Sequence, residues 1–265
     1  MMECGNSIIE DSMSTEEILL RMFLIVDPAM VDGKKRADAR LYPSEIVTIG
    51  LLFALKGGKY RPFYRWLDAN LRKWFPKLPE QSRLLRLIRD YSHYTDRFLK
   101  DPSFFTAIDT FGIELIHPRR EGRSPSQLGK KGLSNGRWIV GIKVAWLVND
   151  HGEVVNWSWD TANEPDNLFR ETATQYDGMT IALSDLGFRK QETSQQNLKY
   201  CEKGTWNERY QVESDFSFVE GVCHSKKMYH REEHHLEARL GYLAALINIL
   251  LTITGGVFSF TKFVL

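Results

Sequence analysis

Apolar residues recur at helical spacing over the first hundred positions and at strand-like spacing after them. Ile18, Leu19, Met22 and Phe23 fall on one stripe of a helix over residues 14–30, which Ser14 or Thr15 caps and whose positive N-terminus Glu16 and Glu17 suit. A second helix starts near Pro43-Ser44-Glu45 and stops at Gly57-Gly58. A third runs from Tyr60 to Phe75 and is ended by Pro76 and Pro79. A fourth, over residues 80–100, sets Leu84, Leu87, Ile88 and Tyr91 on one side and Arg83, Arg86 and Arg89 on another. With residues 1–13 as a flexible lead, residues 14–100 form an all-helical unit.

The texture changes after Pro102. Residues 104–109 make a short β-rich run ending in Asp109, and residues 117–136 are a long loop of glycine, serine, proline and basic residues. Trp138–Val148 and Val154–Trp159 read as strands around a turn at Gly152. Residues 166–176 read as a helix, and Met179–Leu183 as an apolar strand leading into Ser184-Asp185. Helices follow over 206–222 and 231–253. Residues 101–265 therefore form a mixed α/β domain. The run from Leu240 to Leu265 is long enough for a membrane span, but Asn248, Gly255-Gly256 and Lys262 interrupt it. A buried packing helix, and no membrane, is the expectation.

Composition changes this picture little. Of 265 residues 43% are hydrophobic and 26% charged, ordinary for a globular chain. Cys4, Cys201 and Cys223 make no disulfide framework and suit a reducing compartment. The acidic start (Glu3, Glu10, Asp11) does not read as a signal peptide, so a cytoplasmic location is expected. Charge is informative by its distribution. The net charge is only +1, yet residues 56–100 hold twelve Lys/Arg against four Asp/Glu, and residues 117–143 seven against one. The remainder must be acidic. Either a polyanion-binding face is segregated from acidic chemistry, or the excess is merely solvated.

Asp109 and Asp185 both end predicted strands. Such aspartates are common turn formers, but on neighbouring strands they would emerge at one sheet edge. Glu213, from the later helix, would complete a group of three. Glu208 and Asp215 point about 140° and 160° away from it, and Glu220 lies about 10.5 Å further along the axis. Converging carboxylates with few nitrogen or sulfur ligands suit a pair of Mg²⁺ ions, with Mn²⁺ as substitute.

The sequence around these acids resembles the DDE transposases of bacterial insertion sequences. Ala107-Ile-Asp109-Thr is similar to their first-aspartate segment, and Arg137-Trp-Ile-Val-Gly-Ile-Lys143 to the second strand. Thr161-Ala-Asn-Glu-Pro-Asp166 resembles the turn that opens the first core helix, and Ala182-Leu-Ser-Asp185-Leu-Gly-Phe188 the second-aspartate segment. Trp206-Asn-Glu-Arg209-Tyr-Gln-Val-Glu213 resembles the glutamate helix, and Leu236–Asn248 the closing helix. The resemblance implies a ribonuclease H-like mixed sheet flanked by helices, with Asp109, Asp185 and Glu213 as catalytic metal ligands. It also implies cleavage and strand transfer on double-stranded DNA, by a homodimer on the nucleoid. The pattern departs where Trp206 stands for a tyrosine and Glu220 for a phosphate-contacting lysine, with Lys226 and Lys227 the nearest substitutes. Phosphate contacts are expected from Arg83, Arg86, Arg89, Arg119, Arg120, Arg123, Lys130, Lys131, Lys143 and Arg209. A metal-dependent nuclease of the same fold, and a decayed or domesticated DNA-binding protein, are the competing readings.

His230-Arg-Glu-Glu-His234 lacks the glutamate that a zinc metalloprotease needs directly after its first histidine. Cys223-His224 lies nearby, but a third ligand at suitable spacing is not evident, and a polar helix start or a DNA contact is the expectation.

Overall fold

The computed structural model describes residues 12–35, 37–134, 136–189, 197–201, 210–256, 262–263 and 265. Helix α1 (Thr15–Ala29) is capped by Ser14, whose Oγ accepts the Glu17 N–H at 3.2 Å. Helix α2 (Pro43–Lys56) opens with proline, and the Glu45 carboxylate accepts the Tyr42 N–H at 2.6 Å. It closes at Gly57 with φ of 70°. Gly50 matters on this helix because a Cβ there would strike the ring of Tyr242, so α2 is buried nearly all round.

Helix α3 covers only Tyr60–Leu71, and Trp74 and Phe75 then donate their N–H groups to the Leu71 carbonyl at 3.0 and 3.2 Å, closing a turn ahead of Pro76. Helix α4 (Gln81–Asp90) likewise stops short of the expected span. Ser92 donates to the Arg89 carbonyl and Thr95 to the Ser92 carbonyl, and these hydroxyl bonds tighten residues Ser92–Phe98 into 3-10 turns.

Six strands follow: β1 (Phe105–Ile116), β2 (Lys130–Ser134), β3 (Arg137–Asn149), β4 (Val154–Thr161), β5 (Ile181–Ser184) and β6 (Leu198–Tyr200). They form one mixed sheet in the order β2-β3-β1-β5-β6, with β4 paired to β3 as well. β1 is antiparallel to β3 and parallel to β5, and β5 is parallel to β6. Three expectations are corrected. β1 does not end at Asp109 but continues to Ile116, held by its antiparallel pairing with β3. Gly141 permits that pairing at a register shift, where a Cβ would collide with the Ile113 carbonyl oxygen. Lys130 and Lys131 lie on β2 rather than in a loop. The helix expected at 166–176 is a 3-10 turn (Asp166–Arg170) leading into a single turn, α5 (Glu171–Thr174).

Alternation divides the sheet into two faces. Ala107, Phe111, Ile113, Ile142, Val144, Trp146 and Val148 join the larger core, with the N-terminal helices, α6 (Tyr210–Gly221) and α7 (Glu233–Thr254). Ile108, Ala145 and Leu147 face the other way, against Phe169, Ala173 and Phe188. The architecture is thus a mixed sheet flanked by helices. Among the described residues α7 is the one helix long and apolar enough to cross a membrane, and 83% of its apolar window is buried inside the protein. Its single mid-helix amide explains why. Asn248 donates to the carbonyls of Phe98 and Val154 at 2.8 Å each and accepts the Val154 N–H at 2.7 Å. That amide joins the helical unit to the edge of β4.

Candidate metal centre

Strand register brings the two aspartates together. Ala107 pairs with Leu183 across the parallel β1–β5 ladder, so Asp109 and Asp185, each two residues on, stand at the same level. Neighbouring strands are about 4.8 Å apart, which leaves the two carboxylates side by side. Asp185 directly follows β5 and caps the 3-10 turn Leu186–Phe188, with Oδ1 accepting the Gly187 N–H at 2.9 Å. The Oδ1 of Asp109 accepts the Thr110 N–H at 2.8 Å. Both are half-buried.

Helix α6 supplies the third acid. Phe216 packs against Phe111 of β1 at 4.4 Å between ring centroids and against Trp146 of β3 at 5.6 Å. This aromatic contact fixes the helix over the face that carries Asp109. Glu213, about one turn earlier, then opens with Asp109 and Asp185 into one cleft of about 390 Å³. Val212 and Val219 are buried beside Phe216, as the apolar flank of this helix predicts. Asp215 points away from the cleft into the protein, where burial raises its carboxyl pKa far above the usual range.

Two further acids line the cleft. Glu220 does so while held at 3.4 Å by Lys226. Asp166 was expected only as the start of a helix. Its Oδ1 accepts from Thr110 Oγ1 at 3.0 Å and from Lys143 Nζ at 2.9 Å, and Lys143 also donates to the Glu164 carbonyl at 2.9 Å. A Cβ on Gly187 would lie 3.0 Å from Asp185 Oδ1 and 3.1 Å from Asp166 Oδ2, so glycine there lets Asp166 crowd the Asp185 turn. Five carboxylates and one lysine therefore share the cleft. Such a hard-oxygen donor set fits Mg²⁺ or Mn²⁺, and the surplus of negative charge is of the kind a cation relieves.

Other expected site residues are placed differently. Lys143 sits inside the acidic cleft, tied to Asp166, and not on an open basic surface. Arg83 and Arg86 are exposed on α4, whereas Arg89 is held at 2.6 Å by Asp90. Lys130 and Lys131 are exposed on β2, with Lys131 over the ring of Trp138. Arg119, Arg120 and Arg123 line a second, basic groove. Lys227 pairs with Glu114, so neither it nor Lys226 is without an acidic partner. Arg209 and Trp206 lie outside the described residues.

The histidine cluster also departs from the expected pairing. Glu232, His234 and His235 bring their ligand atoms within 4.8 Å of one another at the start of α7. Glu232 reaches His234 at 3.0 Å and His235 at 3.6 Å, the polar helix start that the sequence suggests. His230 is not in this group; burial, with Arg239 and His235 nearby, depresses its pKa to about 3. Cys223 is wholly buried and its thiol is pushed up to about 12, which does not suit a thiolate ligand. Compared with known proteins, the chain matches no family model, no curated protein and no solved structure.

Proposed function

We propose that this protein is a DDE-type transposase, built on a ribonuclease H-like core, that cleaves and joins DNA strands at the ends of an insertion sequence. The observation that carries this assignment is the common level of Asp109 and Asp185 on adjacent parallel strands, with Glu213 opening into the same cleft. The strand plan supports the core: β1 lies between antiparallel β3 and parallel β5, with helices on both faces. Asp109, Asp185 and Glu213 would hold two Mg²⁺ ions. Bound there, the ions supply Lewis acidity to an attacking water or 3′-hydroxyl and to the departing 3′-oxygen of the scissile phosphodiester. The protein's own part is to hold the three carboxylates on rigid elements, to neutralise Asp166 through Lys143, and to leave one side of the cleft open to the strand. No side chain becomes covalently attached to DNA. Such an enzyme would work in the cytoplasm on the nucleoid, as a homodimer that brings two ends together.

The test searches the DNA on either side of the coding sequence for short inverted repeats and uses duplexes that carry those ends. With Mg²⁺, the wild-type protein is expected to nick these ends and join them to a target duplex. Asp109→Asn and Asp185→Asn are expected to bind the ends normally and to do neither. Near wild-type cleavage by either variant rules out the assignment. Cleavage by the wild-type protein without joined product makes it a nuclease instead.

A further inference from the structure

A groove of about 1030 Å³ lies apart from the acidic cleft. It is lined by Lys59 from the α2–α3 turn, by Arg119, Arg120 and Arg123 from the segment after β1, and by Arg231 just before α7. These three parts of the chain are remote in sequence. All five cations are exposed, none forms an ion pair among the described residues, and no carboxylate lines the groove. Six cations elsewhere, Arg21, Arg72, Arg89, Arg97, Lys100 and Lys143, each face an acid, and the exposed Arg83, Arg86, Lys130 and Lys131 do not share one concavity with the five. Five uncompensated like charges gathered in one concavity repel one another and favour a polyanion there.

We infer that this groove is a second DNA-contacting site, which grips the phosphate backbone of the duplex at a fixed distance from the carboxylate cleft. The inference rests on the transposase assignment for its choice of ligand. Backbone contact, not base reading, follows from the one exposed aromatic in the groove. The ring of Tyr229 is taken up by the ammonium of Lys59 at 4.6 Å and that of Lys227 at 6.0 Å, so it braces cations in place of stacking on bases. The distance follows from β1, which carries Asp109 into the cleft and Ile116 into the groove. Seven strand residues span about 23 Å, or about seven base pairs of duplex at roughly 3.4 Å each. A duplex laid from cleft to groove would thus be held about seven base pairs from the scissile phosphate, without preference for the sequence between.

The experiment measures binding of the Asp109→Asn protein to a 30-base-pair duplex across a salt series, by fluorescence anisotropy. Lys59→Gln, Arg120→Gln and Arg231→Gln are then combined in that background. The slope of log K against log salt is expected to fall by about 2.7, that is about 0.9 for each lost phosphate contact. A charge-retaining Lys59→Arg, Arg120→Lys, Arg231→Lys protein is expected to keep the original slope. A hydroxyl-radical footprint of the unmutated chain is expected to reach at least about seven base pairs to one side of the cut. An unchanged slope in the glutamine variant, or a footprint confined to the cut and its nearest neighbours, overturns the groove. Tighter binding to a single strand of the same sequence than to the duplex overturns it as well. The two assignments fail separately. Normal cleavage with an unchanged slope removes the groove alone, whereas a reduced slope in a protein that never cuts removes only the catalytic assignment.

Discussion

Replacing Asn248 with leucine tests how the helical unit is fastened to the sheet. Both side chains branch at Cγ and carry the same number of heavy atoms, with leucine the larger, so the change removes polarity without opening a cavity. In the wild-type protein the amide serves three backbone groups: the Val154 N–H and the carbonyls of Val154 and Phe98. The Val154 carbonyl keeps a second donor, the Lys100 N–H at 3.1 Å. Leucine therefore strands two buried groups, the Val154 N–H and the Phe98 carbonyl, at about 1–3 kcal/mol each. Burying the leucine methyls returns roughly 1–2 kcal/mol. Taken at the middle of each range, the net loss is about 2.5 kcal/mol. At an unfolding entropy of about 2.1 cal/mol/K per residue, a chain of 265 residues should lose roughly 4–5 °C in Tm. Urea titration and calorimetry of the two proteins measure both quantities. A leucine variant as stable as the wild type would refute the reasoning, for it would mean that the apolar packing of α7 alone fixes the junction.

Glu213→Gln is expected to abolish Mg²⁺-dependent cleavage, while Glu220→Gln, one further along the cleft and held by Lys226, keeps it; single-turnover assays distinguish them. Lys143→Met and Asp166→Asn, combined in a double-mutant cycle of unfolding free energies, should show a coupling of about 1–2 kcal/mol, and additive losses would mean that the pair is not a unit. His230 stays neutral in the fold down to a pKa of about 3, whereas in the unfolded chain it takes up a proton near 6.5. Its share of stability is thus complete above about 6.5 and is lost as pH falls towards 3. Urea midpoints between pH 4 and 7 should decline more steeply for the wild type than for His230→Gln.

Much of this was legible in the sequence because the signals are local. Ser14, Pro43 with Glu45, and Gly57 mark helix ends through bonds within one turn. Asp185 and Glu213 are legible because a strand end and a helical face are properties of short segments, whereas Asp109 lies in mid-strand and not at the strand end that its own segment suggests. What stayed hidden is set by partners distant along the chain. Thr110-Phe111-Gly112 prolongs β1 only because β3 lies beside it. Asp166 enters the cleft because the turn carrying it is drawn to Thr110 and Lys143, 56 and 23 residues earlier. The three residues of β6 are too few for any periodicity, and their place depends on pairing with β5. The groove likewise joins Arg119–Arg123 to Lys59 and Arg231, not to the arginines of α4 that share the same basic stretch of sequence.

The position of α7 has a consequence for synthesis. It packs against α1, α2 and α4, and against β4, so the apolar faces laid down in the first hundred residues find their main partner only after residue 233. During translation those faces must wait, at about 5–20 residues per second, for roughly ten seconds or more with their leucines and isoleucines uncovered. A ribosome-bound intermediate of this chain would accordingly be a substrate for chaperones. Premature stops before the α7 segment should yield fragments that aggregate or are degraded, so a shortened copy could not linger beside the full-length protein.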